Sequence, residues 1–306
     1  MASWRPGTQK QYTTYIRKWI QYCGKRKINH LQANVSDVVD FLSELFHKGL
    51  SYSALNTARS SLSAIGLVVN GFTIGSHPLV IKLLRGVFNL RPSKPKYCDT
   101  WDVSIVLSYL KHLPQASELS LKLLTLKLSM LLALVLAGRS QSLHLLCIDN
   151  MRKESSSYTL FYSGLLKQSK PGKSIPCVEL CAYAADKSIC VYTMLTEYLK
   201  RTMSLRGDIN SLFISYIKPF GRVSKATVSR WIKTVMNSAG INCDKYKPHS
   251  VRAASASKAK AFGVPIDDIL KVAGWSNMQT FAMFYNKPVD NATSSSNRFS
   301  NAVLTD

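Results

Sequence analysis

The sequence predicts a mainly α-helical protein with a small antiparallel sheet, an α+β fold in two domains. Apolar residues recur at helical spacing through residues 1–90, a basic proline-rich segment follows, and short strand-like runs interrupt the later helical patterns. A chain of 306 residues is also long enough for two domains of about 100–200 residues each.

Residues 1–90 are predicted to form a domain of four amphipathic helices. The first has an apolar stripe at helical spacing: Tyr12, Tyr15, Ile16, Trp19, Ile20 and Cys23. Ser36 is a candidate cap for the second helix, and Ser51 or Ser53 for the third, because a serine hydroxyl accepts from the unpaired amides of a helix start. Pro78 suits the first turn of the fourth helix.

Residues 91–99 are predicted to be a basic linker, since Pro92 and Pro95 favour extended backbone. The second domain is predicted over 100–306, with Thr100 as the cap of its first helix. Its strands are predicted at 157–162 and 174–180, and its helices at 101–113, 119–137, 190–202, 224–239, 249–262, 265–273 and 277–285.

The charge balance indicates a polyanionic partner. Forty Lys and Arg residues against seventeen Asp and Glu residues give a net charge of +23, and proteins this basic usually bind nucleic acid. Lys122 and Lys127 interrupt the leucine-rich stretch 119–137, so no membrane span is expected. Seven scattered cysteines and an N-terminus without an apolar core indicate an intracellular protein.

The motifs of several enzyme classes are missing from the sequence. It contains no GxxxxGK[ST] phosphate loop, no HExxH motif and no Cys/His set with metal-site spacing. Acidic residues are too sparse to suggest a two-metal nuclease. We therefore expect no metal, no cofactor and no small-molecule substrate. If this basic protein cuts DNA, a covalent side-chain nucleophile is the attractive route.

One set of residues could supply such chemistry. His249 and Arg252 are three positions apart and share a helical face, a Gly-Trp pair places Trp275 further on, and Tyr285 follows. Upstream, Arg139 stands directly after an apolar helix, where a guanidinium is held rigidly enough to clamp a phosphate. Each residue alone is more often a packing or surface residue, so their joint occurrence carries the enzyme hypothesis.

In this order and spacing, the HxxR, Gly-Trp and Tyr motifs resemble those of the tyrosine recombinase family, which includes phage integrases. The resemblance covers nearly the whole chain: residues 1–90 look like the helical core-binding domain and residues 100–306 like the catalytic domain. Gly274-Trp275-Ser276 and the Phe-Tyr-Asn-Lys-Pro run around Tyr285 look closest to the recombinases of eukaryotic Crypton-like and DIRS-like mobile elements.

This resemblance implies site-specific cleavage and rejoining of double-stranded DNA without metal or ATP. Arg139 and Arg252 would hold the non-bridging oxygens of the scissile phosphate, Trp275 would donate its indole N–H, and His249 would assist proton transfer. Tyr285 would attack to form a 3′-phosphotyrosyl bond. The family also implies a homotetramer on two duplexes, and a eukaryotic element would act in the nucleus.

The family also implies a lysine that protonates the 5′-oxygen leaving group. Lys167 opens the turn between the predicted strands, as the family's lysine does, and Lys170 is the alternative. Two departures from the family pattern occur. Ser142 stands where many relatives carry an acid three residues after the first arginine, and Tyr285 follows Trp275 one residue later than in most bacterial relatives.

Two other functions stay open at this point, a non-catalytic DNA-binding protein and a type IB topoisomerase. The flexible linker suggests that both domains close around duplex DNA through phosphate contacts. The C-terminal tail carries an apolar cluster that could either dock on a neighbouring subunit or form a frayed end: Phe299, Ala302, Val303 and Leu304.

Overall fold

The computed structural model of the chain describes residues 4–92, 97–174 and 176–289. The chain divides into two compact units, Met1–Lys96 and Tyr97–Asp306. The prediction of a mainly helical fold with a small antiparallel sheet is confirmed. In these three ranges, no helix is both long and apolar enough to cross a membrane. The predicted apolar tail cluster lies outside the described residues.

The first unit packs four helices around an aromatic core, with a two-stranded ribbon before the last helix. Its elements are α1 (Pro6–Arg26), α2 (Val35–His47), α3 (Tyr52–Ala64), β1 (Val68–Val69), β2 (Phe72–Thr73) and α4 (Pro78–Leu90). Trp19 is fully buried, and its ring centroid lies 5.1 Å from that of Phe41 on α2. The predicted stripe of α1 is wrong at Ile20, which is 45% exposed, whereas Tyr22 is buried.

The start of α2 also differs from the prediction. Asn34, not Ser36, caps this helix: its side chain accepts from the amide of Asp37, and the Asp37 carboxylate accepts from the amide of Asn34. This reciprocal pair satisfies two amides that a helix start otherwise leaves unpaired. Ser51 caps α3 and Pro78 opens α4, as predicted.

The second unit is built around one helix that is buried on every side. Its elements are α5 (Val103–Lys111), α6 (Leu121–Val135), α7 (Ser140–His144), β3 (Leu146–Lys153), β4 (Ser157–Tyr162), β5 (Val178–Cys181), α8 (Val191–Thr202), α9 (Lys225–Ser238), α10 (Val251–Ala261), α11 (Ile266–Ala273) and α12 (Met278–Phe284). Residues 124–134 of α6 are all buried, and α8, α9 and α10 pack against this helix. An all-round apolar sequence is what a central helix needs.

The antiparallel sheet of the second unit has the order β3-β4-β5. Leu146 of β3 lies opposite Tyr162, and Tyr158 of β4 lies opposite Leu180. The sequence interpretation missed β3, and it began the last strand too early, since β5 starts only at Val178. The loop between β4 and β5 is therefore longer than predicted.

Thr100 does not cap the first helix of this unit. Asp102 takes that position, and its carboxylate accepts from the amide of Ser104 at 2.8 Å. The amide of Thr100 instead donates to the carbonyl oxygen of Pro288 at 2.8 Å, and Thr100 pairs with Val289 in an isolated parallel bridge. The beginning of the unit is thus fastened to the segment that follows α12.

Candidate active site

Arg139 lies in the tight connection between α6 and α7. Ala137, two residues before it, has a φ of +42°, a left-handed conformation that costs energy for any residue with a Cβ. Arg139 then serves as the N-cap residue of α7, and its side chain is half-buried. Its Nη1 donates to Oε1 of Gln168 at 3.4 Å. The Arg139 side chain therefore extends from a fixed and strained turn at the end of the buried helix α6.

Arg252 lies on the first turn of α10 and is only 1% exposed. Its Nη1 donates to the carbonyl of Ala137, and its Nη2 donates to that of Ala273 at 3.0 Å. Burial, and then the nearby charge of Arg139, lower the pKa of the Arg252 guanidinium to about 10. The side chain is still cationic at neutral pH, and two backbone carbonyls fix its orientation before any ligand arrives.

His249 precedes α10 in a short 3₁₀ turn, Pro248–Ser250, rather than within the helix that was predicted over 249–262. Ser250, at the end of this turn, accepts a hydrogen bond from the buried indole N–H of Trp101 at 2.9 Å. His249 itself is exposed, and its Nε2 lies 3.1 Å from Oη of Tyr285. Histidine and tyrosine are therefore within proton-transfer distance.

Tyr285 immediately follows α12 and points back into the cluster. Its ring centroid lies 4.2 Å from that of Trp275, and the Arg252 guanidinium lies 5.4 Å from the tyrosine ring centroid. Phe284 is 57% exposed, so the longer spacing does not bring that residue to the site. Ser257 of α10 donates its hydroxyl to the Tyr285 carbonyl at 2.8 Å, which holds the tyrosine backbone against α10.

Two buried N–H groups of this cluster have no hydrogen-bond partner in the described part of the chain, Nε of Arg252 and Nε1 of Trp275. Buried donors are nearly always paired in folded proteins, because an unpaired one costs about 1–3 kcal/mol. The guanidinium of Arg252 also lies 4.7 Å from the Trp275 ring centroid. These two donors, together with the guanidinium groups of Arg139 and Arg252, make the cluster a candidate site for an anionic acceptor.

The structure brings five of the six predicted site residues into one contiguous cluster: Arg139, His249, Arg252, Trp275 and Tyr285. Lys167 lies on the exposed turn after β4, and its side chain makes no hydrogen bond or ion pair with that cluster among the described contacts. Lys170 is exposed too. The sequence interpretation overlooked Gln168, which carries no motif but contacts Arg139 across 29 positions of sequence.

Ser142, the residue found where many relatives have an acid, lies half-buried on α7. It lines a cavity of about 560 Å³ together with Gln168, Arg252 and Gly274. Ser142, the residue that departs from the family pattern, therefore lies next to the candidate site. Among the described residues, no group of three or more His, Cys, Asp or Glu side chains is placed to bind a metal ion.

Comparison with known families identifies the family of the chain. Residues 110–291 match the phage integrase family, and residues 2–65 match the N-terminal SAM-like domain of phage integrases. The chain belongs to the phage integrase family of tyrosine recombinases. No curated protein sequence matches it significantly.

Solved structures of this family share the fold of the chain. A XerH site-specific recombinase bound to its difH substrate superposes with a TM-score of 0.60 at 17% identity, over 89% of this chain and 74% of that one. A lambda integrase tetramer bound to a Holliday junction gives 0.54 at 15% identity, over 95% and 75%. The Tn1549 transposon integrase with transposon-end DNA gives 0.52 at 16% identity, over 89% and 85%.

Proposed function

We propose that this protein is a site-specific DNA recombinase that cleaves and rejoins DNA through a 3′-phosphotyrosyl intermediate. The observation that carries the proposal is the environment of Tyr285, whose hydroxyl lies 3.1 Å from His249 and whose ring contacts Arg252 and Trp275. A phenol beside a base, a buried guanidinium and an unpaired indole N–H is the arrangement that phosphoryl transfer to tyrosine requires.

Strand cleavage then follows from the roles of these groups. The scissile phosphate accepts hydrogen bonds from Arg139, from Arg252 and from Nε1 of Trp275, which together stabilise the charge on its five-coordinate transition state. His249 takes the phenolic proton while Oη of Tyr285 bonds to phosphorus. The bond from phosphorus to the 5′-oxygen breaks, and the reverse reaction rejoins the strand without ATP.

The departing 5′-oxygen needs a proton, and Lys167 is the proposed donor. It lies in the middle of the turn that Leu166 and Ser169 close, next to Gln168, whose side chain binds Arg139. Lys170 lies beyond that turn. A lysine ammonium within reach of the leaving oxygen lowers the barrier by protonating it as the bond breaks.

The assembly that we propose is a homotetramer on two double-stranded DNA sites. The lambda integrase relative was solved as a tetramer on a Holliday junction, and recombination needs four cleavages. We propose residues 1–90 as the core-binding domain, 91–99 as the linker and 100–306 as the catalytic domain. The motifs Gly274-Trp275-Ser276 and Tyr285-Asn286-Lys287-Pro288 support membership of the eukaryotic mobile-element branch, whose recombinases would act in the nucleus.

Covalent capture on a library of nicked random-sequence duplexes tests this function for any target sequence. In such duplexes the short strand released by cleavage diffuses away, which traps the covalent intermediate. We expect an SDS-stable protein–DNA adduct from the native chain and none from Tyr285→Phe. An adduct formed by Tyr285→Phe would assign the nucleophile elsewhere, and no adduct from any duplex would indicate a DNA-binding protein without strand-transfer activity.

A further inference from the structure

The turn that follows β4 is a closed structure rather than a loose loop. Leu166 is 1% exposed and anchors it in the core. The Leu166 amide donates to Oγ of Ser169 at 3.0 Å, and the Ser169 amide donates to the Leu166 carbonyl at 3.0 Å. These two bonds close a four-residue turn whose exposed middle positions are Lys167 and Gln168.

Gln168 joins this turn to two parts of the candidate site. Its Oε1 accepts from Nη1 of Arg139 at 3.4 Å. Its amide nitrogen lies against Gly274, where a Cβ would come within 2.6 Å of Nε2. Gly274 also has a φ of +64° at the end of α11, a left-handed conformation that favours glycine, and the absence of a side chain leaves room for the Gln168 amide. One side chain thus spans from Arg139 to the backbone that precedes Trp275.

The side chain of Lys167, in contrast, is fixed by no hydrogen bond or ion pair with the residues that the structure describes. A lysine on an exposed turn samples many rotamers, and a general acid is effective only within about 3 Å of the atom it protonates. The position of the turn backbone is therefore the main restraint on where the ammonium group can reach.

We infer that Gln168 is a positioning residue that fastens the turn to Arg139 and Gly274 and so holds Lys167 at the leaving-group side of the site. This inference rests on the proposed strand-transfer function. It assigns Gln168 no contact with DNA. Its effect is transmitted through Lys167, so loss of Gln168 should impair protonation of the 5′-oxygen more than the attack by Tyr285.

A sulfur substitution in the DNA isolates that step. Nicked duplexes captured by the native chain are remade with a 5′-bridging phosphorothiolate, whose thiolate leaves without a proton because thiols are much stronger acids than alcohols. Single-turnover adduct formation is then measured on the oxygen and sulfur substrates. We expect Gln168→Ala to be slowed about 10–100-fold on the oxygen substrate and to recover most of this loss on the sulfur substrate, as Lys167→Ala should.

Equal losses on both substrates would overturn the inference, because the defect would then lie in phosphate binding by Arg139. Unchanged rates on both would overturn it as well. Gln115→Ala is the matched control, since Gln115 is an exposed glutamine on the loop between α5 and α6. It should match the native chain on both substrates.

Hydrogen exchange of the free protein tests the fastening independently of catalysis. The amides of Leu166 and Ser169 should exchange several-fold faster in Gln168→Ala than in the native chain or in Gln115→Ala, because the turn loses its attachment. Equal exchange would overturn the inference even if the enzyme is active. A native chain that forms no adduct would reject the proposed function, while the exchange measurement would still decide whether Gln168 fastens the turn.

Discussion

At the scale of single residues, the site is defined by polar groups that the fold leaves unsatisfied. Trp275 is 8% exposed, contacts the ring of Tyr285 and keeps its indole N–H unpaired within the described ranges. Its ring thus packs against the proposed nucleophile, Tyr285, while its nitrogen provides a donor. A tryptophan that served packing alone would usually have found a partner for this group.

Separating the two roles of Trp275 gives the first prediction. Trp275→Phe keeps an aromatic ring against Tyr285 but deletes the donor, so adduct formation should fall about 100-fold, the usual loss for one transition-state donor. Trp275→His keeps an N–H and should retain more activity than Trp275→Phe. Single-turnover rates measure this, with thermal unfolding as the control for folding. Equal activity of the two variants would show that only ring packing matters.

Lys127 is a second residue with an unsatisfied group, remote from the proposed chemistry. It lies on α6 with 1% exposure, and its Nζ has no partner in the described part of the chain. Burial lowers its pKa below the ordinary value of 10.5. The native state therefore loses this proton before the unfolded state does, and stability should rise with pH between the lowered pKa and 10.5.

Replacing that ammonium group should stabilise the protein. Lys127→Met removes an unpaired buried polar group at similar side-chain length, so the free energy of unfolding should increase by about 1–3 kcal/mol. The rise of stability with pH should also become smaller. Lys122→Met, at an exposed position of the same helix, should change little. Urea unfolding at several pH values measures the free energy of unfolding of each variant, and a destabilised Lys127→Met would refute the prediction.

At the scale of elements, α12 positions Tyr285, the proposed nucleophile, at the candidate site of its own chain. Phe281 of α12 is 1% exposed, and the hydroxyl of Ser257 on α10 binds the carbonyl of Tyr285 and accepts from the amide of Lys287 at 3.0 Å. These contacts hold the segment that ends at Tyr285 against the helix that carries Arg252. Cleavage is therefore expected in cis, by the chain that binds the phosphate.

Mixing two inactive variants tests cis cleavage. Tyr285→Phe lacks the proposed nucleophile and Arg252→Ala lacks a proposed phosphate ligand, so each should be inactive alone. If each chain uses its own tyrosine, a mixture of the two should form no adduct on nicked DNA. Co-assembly of the two variants on DNA, followed with differently sized tags, is the control. Adduct formation on mixing would show that the tyrosine is exchanged between subunits.

The elements also show how far the sequence alone could predict the fold. Helices with a strong apolar period were placed within a few residues, since one buried face determines them. The strand β3 was missed because only its first residues are buried and its register shifts between Cys147 and Arg152, which removes any alternating pattern. Caps were misplaced at Ser36 and Thr100, where a neighbouring Asn or Asp competes for the same role.

The candidate site was predictable only where motif and spacing coincide. His249 and Arg252 are close in sequence, and the order of the motifs led to Arg139 and Tyr285. The contact between Gln168 and Arg139, by contrast, depends on where the turn after β4 packs. No local pattern contains that information, because the contact is formed by tertiary structure.

At the scale of the whole molecule, the net charge of +23 should make the affinity for duplex DNA depend strongly on salt concentration. If many lysines and arginines contact phosphates, duplex binding should weaken by about 1,000-fold or more between about 50 and 200 mM salt. Fluorescence anisotropy with a labelled duplex measures the slope of log Kd against log salt. Tyr285→Phe should show the same slope, because it alters no charge. An affinity independent of salt would contradict DNA binding through the phosphate backbone.

The bond between the Thr100 amide and the Pro288 carbonyl has a mechanical consequence. Through this bond Thr100, near the start of the second unit, is attached to Pro288, which lies only three residues beyond Tyr285. Just before Thr100, the Asp99 carboxylate accepts from Nζ of Lys245 and from Oη of Tyr246. A pull applied along the incoming chain therefore reaches the segment before His249 as well as the segment after Tyr285, the proposed nucleophile. If Tyr285 forms the proposed bond to DNA, the attached strand and the start of the second unit are joined through residues 285–288.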